Sequence, residues 1–429
     1  MRREKRQKKQ VTYGVFALLL AITLAMTSIM TVFAKPADNI PKDGNTSTTT
    51  VNGSFSDVTI TKQLNIAEGT TVPSETFSFT SSLTAVTNHT VADTTYDGVK
   101  AIAISDITFS SADAIANDMV VKQSSPLFYD GSDNDIYTFP HAGEYIYEVS
   151  ETAKTTTGMT YSTQSYIMRV YVKNTIDAQG NATGTEIYAV TVYDKQYDTD
   201  DSTRDAHKVD PTPNDTPGEG NGFRFVNTYI ESAPFFVQKQ VKGAYADMTK
   251  AFNFNVSVKL PSTFPVAADS AVYWKVEGST GTPGTPTKVS ITSEAKRTFV
   301  ISTSLKHGEK IVFTDAIGNT VGAPVGTVYT VTESESDTSY TKTATVKEGG
   351  SDVAVTVDSE GKINESGDEN FLVKSTTDTD GNTAIMTNTK VDISITGIVM
   401  NNLPFILLGL FSVAGVGLYL FGRTRRRVK

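Results

Sequence analysis

Six residues able to do chemistry sit where a β-strand should carry apolar side chains. Lys62 lies in the alternation Val58, Ile60, Lys62, Leu64; Glu151 follows Tyr145, Tyr147 and Val149; Asn227 stands among Phe223, Phe225 and Tyr229. The order recurs downstream, with Lys239 among Phe235, Val237 and Val241, Glu333 after Tyr329 and Val331, and Asn388 after Ala384 and Met386. Side chains on a strand alternate faces with period two, so all six polar groups are expected to point into a core. The spacing repeats as well: Lys62 and Glu151 are 89 residues apart, Lys239 and Glu333 are 94 apart.

An amine, a carboxyl and a carboxamide gathered in apolar surroundings can react. Burial disfavours charge, lowering the lysine pKa and raising that of the glutamate. A neutral amine attacks the carboxamide, the glutamic acid polarises the asparagine carbonyl and shuttles protons, ammonia leaves, and an amide joins the two side chains. This is one intramolecular event and not turnover, so the chain is not expected to be an enzyme. A hydrolase has little support: His89, His141, His207 and His307 are scattered without metal-ligand spacing, and there is neither a nucleophile elbow nor a cysteine. The Asp-rich stretch from Asp194 to Asp215 lacks the glycine and terminal glutamate of an EF-hand, and Asp378 to Asn382 reads as a hairpin turn, so neither a metal nor a cofactor is expected.

Strands must hold these groups. Short β-branched and aromatic runs (Thr76 to Thr80, Tyr161 to Val172, Glu186 to Tyr193) separated by Asp-, Gly- and Asn-rich turns predict an all-β sandwich over residues 55–231. A second sandwich is predicted over 232–391, from Phe252 to Val258, Ala271 to Val276, Arg297 to Ser302, Lys310 to Thr314 and Tyr340 to Val346. Residues 35–54, rich in Pro, Ser, Thr and Asn, read as a flexible leader.

Both ends carry export signals. Residues 1–34 have a basic start, an apolar run from Val15 to Phe33 and Ala34 at the expected cleavage point, the pattern of a signal peptide. Residues 403–422 form an uncharged apolar stretch followed by Arg423, Arg425, Arg426, Arg427 and Lys429, long enough to span a bilayer with its tail in the cytoplasm. Residues 1–34 carry a net +5 and residues 397–429 another +5, so the −9 of the whole chain leaves −19 on the segment between. That acidic body argues against nucleic acid as a partner. With no cysteine in an exported chain, covalent stapling has to come from other side chains.

Thr59-Ile60-Thr61-Lys62, Tyr145 to Glu151 and Phe225-Val226-Asn227-Thr228-Tyr229 resemble the isopeptide domains of streptococcal T-antigen type major pilins. Val237 to Gly243, Leu305 to Glu309, Tyr329 to Glu333 and Thr387-Asn388-Thr389-Lys390 resemble them equally, in the same order. The resemblance implies two tandem Ig-like, CnaB-type sandwiches, bonds from Lys62 to Asn227 and from Lys239 to Asn388, and Glu151 and Glu333 as the catalytic carboxyls. It also implies a cell-wall sorting signal over 392–429, in which Ile393-Ser394-Ile395-Thr396-Gly397 lacks the usual proline and a sortase would cleave between Thr396 and Gly397. The implied partners are that sortase, neighbouring pilin subunits in a covalent homopolymer, and peptidoglycan. Lys208, followed by Lys195, is the candidate intersubunit lysine; in Ala206-His207-Lys208-Val209 the family's following proline is replaced by Asp210. The implied function is a structural subunit of a surface pilus anchored to a Gram-positive cell wall. The alternative is a monomeric anchored adhesin that uses the same sandwiches as a stalk and binds a host ligand through its loops.

Overall fold

The computed structural model describes residues 58–87, 101–128, 139–198, 204, 207–212, 222–278, 284–334, 337–365, 370–390 and 403–425. The signal region, the leader and Thr396-Gly397 lie outside the described residues. The chain divides into two compact units, with the break between Glu231 and Ser232. Each is a β-sandwich, and the fold class is all-β.

In the first unit a four-stranded sheet runs in the order Met119–Gln123, Thr61–Ile66, Arg224–Tyr229, Met159–Thr160. A five-stranded sheet faces it, ordered Lys208–Val209, Ala182–Asp194, Ser165–Ile176, Gly143–Glu151, Phe79–Thr87. Leu64 and Phe225 from one sheet share a core with Tyr147, Val149 and Met168 from the other. The apolar alternation dictates this closure, since only a facing sheet can take both sets of inward side chains out of water.

The second unit has a seven-stranded sheet, Thr287–Ser290, Ala271–Glu277, Lys310–Thr314, Phe236–Lys242, Thr383–Lys390, Tyr340–Glu348, Ser351–Val353. Opposite lies a four-stranded sheet of Thr298–Leu305, Phe252–Lys259, Val328–Glu333 and Phe371–Leu372. Val237, Val241, Ala384 and Met386 meet Phe254, Val256 and Val331 across the interior.

In both units the strand carrying the lysine pairs in parallel with the strand carrying the asparagine. These strands are more than 140 residues apart in sequence, so only their shared apolar faces bring them together. The helix Leu403–Arg425 includes a 21-residue apolar stretch, Pro404–Thr424, long enough to cross a membrane.

One sequence expectation changes in a way that matters below. The run from Tyr161 to Val172 is not one strand: the strand begins at Ser165, and residues 161–164 form a loop leading out of the short strand Met159–Thr160. Tyr161 is tied down instead by side-chain bonds, donating from its hydroxyl to Thr156 Oγ1 (2.9 Å) and to Glu75 Oε2 (3.4 Å).

Candidate functional site

The parallel register sets the geometry of each site. Lys62 lies opposite Phe225, and Leu64 lies opposite Asn227, two residues further along. Lys239 lies opposite Met386, and Val241 opposite Asn388, with the same offset of two. An offset of two keeps lysine and asparagine on one face of one sheet, diagonal to each other and within reach of a long side chain. The glutamate ends a strand of the facing sheet in both units, so its carboxyl enters from across the core.

All three groups meet in each unit. Lys62 Nζ donates to Glu151 Oε2 at 2.7 Å, and Asn227 Nδ2 donates to Glu151 Oε1 at 2.6 Å. Lys239 Nζ donates to Glu333 Oε2 at 2.6 Å, and Asn388 Nδ2 donates to Glu333 Oε1 at 2.6 Å. The Lys62–Glu151 and Lys239–Glu333 pairs have no side-chain exposure at all. Burial brings the Lys62 amine down to about 8, because lost hydration of the ammonium outweighs the attraction of Glu151 beside it. Each carboxylate thus spans amine and carboxamide with its two oxygens, an arrangement suited to taking a proton from one nitrogen and giving it to the other.

The sequence expectation differs from the structure on one point. Glu151 contacts Asn227 through the amide nitrogen and not through the carbonyl oxygen. That oxygen, Asn227 Oδ1, accepts the backbone N–H of Ser162 at 2.7 Å. Nothing in the alternation pattern marks Ser162, because the loop that carries it reads as the start of a strand.

The aromatic contributors also escaped the sequence reading. An aromatic ring caps each amine: Lys62 Nζ lies 4.5 Å from the Phe77 ring centroid, and Lys239 Nζ lies 4.3 Å from that of Phe252. The rings exclude water from the amine and favour its approach through their electron-rich faces. The signal available was an aromatic about fifteen residues after each lysine. In the second unit the loop after Leu305 straps the lysine strand: Lys239 N–H donates to Glu309 O (3.0 Å), Gly308 N–H to Lys239 O (2.8 Å), and Val241 N–H to His307 Nδ1 (3.0 Å). His307 therefore serves the backbone of the lysine strand.

Lys208 sits on the two-residue strand Lys208–Val209 at the edge of the five-stranded sheet, half-buried, with its Nζ 5.8 Å from the Tyr193 ring centroid. Arg204 packs on the same ring, 5.5 Å from its centroid. Lys195 donates to Glu148 Oε1 at 2.6 Å. In the Asp-rich stretch, Asp198 pairs with Arg169 at 2.9 Å and with Arg204 at 3.7 Å, so arginines answer the charge of this carboxylate.

Residues 235–390 match the family described as "Domain of unknown function (DUF7601)". No curated protein matches the chain. Among solved structures, the major pilin from Streptococcus pyogenes is 22% identical, aligning 78% of this chain with 98% of its own at a TM-score of 0.30. The T3.2 major pilin of the same organism is 19% identical over 78% of this chain and 98% of its own, with a TM-score of 0.29. A pilus-presented adhesin is 10% identical over 77% of this chain and 99% of its own, with a TM-score of 0.23. Two of these structures are major pilins of Streptococcus pyogenes, the type that the lysine, glutamate and asparagine motifs resemble.

Proposed function

We propose that the chain is a structural subunit of a surface pilus, with each sandwich closed by an amide that it forms on itself, Lys62 to Asn227 in the first unit and Lys239 to Asn388 in the second. The observation that carries this is the twofold occurrence of one buried geometry: amine and carboxamide on adjacent parallel strands, bridged from the facing sheet by a carboxylate at 2.6 to 2.7 Å.

The chemistry follows from those contacts. In the productive state the shared proton lies on Glu151 and the amine of Lys62 is neutral, which burial favours. Nζ attacks Cγ of Asn227 and a C–N bond forms. Glu151 takes a proton from the attacking nitrogen at one oxygen and delivers a proton to Nδ2 at the other. The Cγ–Nδ2 bond then breaks, ammonia leaves, and the carboxyl returns to its starting state. Glu333 does the same for Lys239 and Asn388. Two buried charges become a neutral amide hydrogen-bonded to the carboxyl, which removes the cost of burying them.

Assembly is the second part of the proposal. A sortase cleaves between Thr396 and Gly397, after a membrane-spanning precursor has been held by residues 403–422, and an amine of the next subunit attacks the acylated Thr396. Lys208 is the preferred amine, because its ring contact holds it at a sheet edge while leaving it half-exposed. The last subunit is passed to peptidoglycan.

Denaturing gels of cell-wall extracts test the assembly. The expected result is a ladder of high-mass species reacting with antibody to this chain, collapsing to monomer in Lys208→Ala. A single monomeric band in the wild type would favour the anchored adhesin instead. A branched peptide joining Thr396 to a different lysine would reassign the amine.

A further inference from the structure

The two sites share their triplet of residues but differ at the atom on which negative charge develops. When an amine adds to a carboxamide, the carbonyl oxygen becomes an oxyanion, and a donor already aimed at it lowers the barrier. In the first unit Asn227 Oδ1 has such a donor, the Ser162 backbone N–H at 2.7 Å. In the second unit Asn388 Oδ1 is fully buried and accepts no hydrogen bond among the described residues.

The strand that follows the glutamate accounts for the difference. In the first unit Met159–Thr160 pairs with Tyr229 and Thr228 and then leaves the sheet, one position before it would lie opposite Asn227. The departing loop is held by Tyr161 against Thr156 and Glu75, and by the Gln164 N–H donating to Ser162 Oγ at 3.2 Å, so the Ser162 N–H can turn inward. In the second unit the corresponding strand, Tyr340–Glu348, continues its ladder past the site, with Lys342 directly opposite Asn388. A strand that continues commits its backbone groups to the ladder and leaves none for the core.

The second site also has a cation beside its carboxylate. Lys342 Nζ lies 3.8 Å from Glu333 Oε1 and donates to Glu333 O at 3.0 Å. Glu333 Oε1 is the oxygen that accepts from Asn388 Nδ2, so the ammonium sits beside the atom through which a proton would reach the departing nitrogen.

We infer that the Ser162 backbone N–H is the oxyanion donor of the first bond, that the second site has no equivalent among the described residues, and that the two bonds therefore form at unequal rates, Lys62–Asn227 ahead of Lys239–Asn388. This rests on the reading that both sites form amides.

The test follows the bonds as the exported segment folds. Chain recovered in denaturant before it has folded is diluted to refold, quenched with acid at intervals, and digested, so that each cross-linked peptide is quantified separately. In the wild type the first bond is expected to lead the second by about tenfold or more; equal rates or the reverse order would overturn the inference. Ser162→Ala keeps the N–H and should match the wild type. Ser162→Pro removes it and should slow the first bond about a hundredfold, with the second bond in the same molecule unchanged. A first bond at the wild-type rate in Ser162→Pro would overturn the assignment. If that variant cannot fold its first unit, the order of the bonds in the wild type decides alone. Wild-type chain that forms neither bond would instead refute the amide reading of both sites.

Discussion

A carboxylate that touches an amine with one oxygen and a carboxamide with the other has to share a single proton between two nitrogens. The pair must hold that proton: with one more the amine is an ammonium, and with none the carboxylate has nothing to give the departing Nδ2. The Lys62 amine loses its proton as the pH rises through about 8. Formation of the first bond is therefore expected to be level near neutrality and to fall above about pH 8, measured as acid-quenched mass time courses on refolding chain. A rate that climbs through this range would mean that the free amine alone limits the reaction. Removing the shuttle is more drastic: Glu151→Ala and Glu333→Ala should each leave one ammonia in place, as read by intact mass, with the bond of the other unit formed. At this scale the sequence was informative, since period-two alternation brought out all six residues that meet at the two buried sites. It was silent on Ser162, whose contact with Asn227 Oδ1 is made by its backbone and not its side chain, and on Lys342, which is an unremarkable alternating residue of its strand.

Strands and turns decide whether these residues meet. The lysine and asparagine strands pair in parallel over six positions in the first unit and seven in the second, and a register shift of one residue would turn Asn227 or Asn388 to the outer face. The strands themselves were legible from their apolar alternation. Their parallel pairing was not, because no local signal links segments so distant in sequence. The turn at Gly361 shows how tightly the second site is framed: φ is +85°, and a Cβ there would lie 2.1 Å from Glu333 O and 2.8 Å from Lys342 Nζ. Gly361 O also accepts the Glu333 N–H at 2.9 Å. Gly361→Ala is therefore expected to displace Glu333 and to lose the second bond selectively, with the first bond as internal control. Peptide mapping that finds the second bond at the wild-type level would show that the carboxyl tolerates this movement.

At the scale of the whole molecule, the proposed bonds would take the place of disulfides in a chain without cysteine. Each would close a loop of roughly 150 residues or more, and chain entropy alone makes such a cross-link worth about 5 kcal/mol. Asn227→Ala and Asn388→Ala should therefore lower the denaturant midpoint of their own unit substantially, and leave a buried lysine and glutamate that no longer react. Both bonds would also join the lysine strand near the start of a unit to its last strand. Tension along the chain would pass between those strands through the amide and would not unzip the sheets. In single-molecule pulling, the wild type should extend only by the segments outside the bonds, and the double Asn227→Ala, Asn388→Ala variant by the full length of both units. Two sandwiches, an acidic body and an apolar C-terminal helix are properties of composition and pattern, and so could be read directly from the sequence. How subunits would join could not, because on the proposed assembly it depends on how one lysine among many is presented to a partner.

The intact mass of the folded exported segment, followed by peptide mapping, tests the central claim most directly. The expected mass is that of the sequence less two ammonia molecules, with one branched peptide joining Lys62 to Asn227 and another joining Lys239 to Asn388. A mass equal to that of the unmodified sequence, with all four residues in linear peptides, would contradict the account.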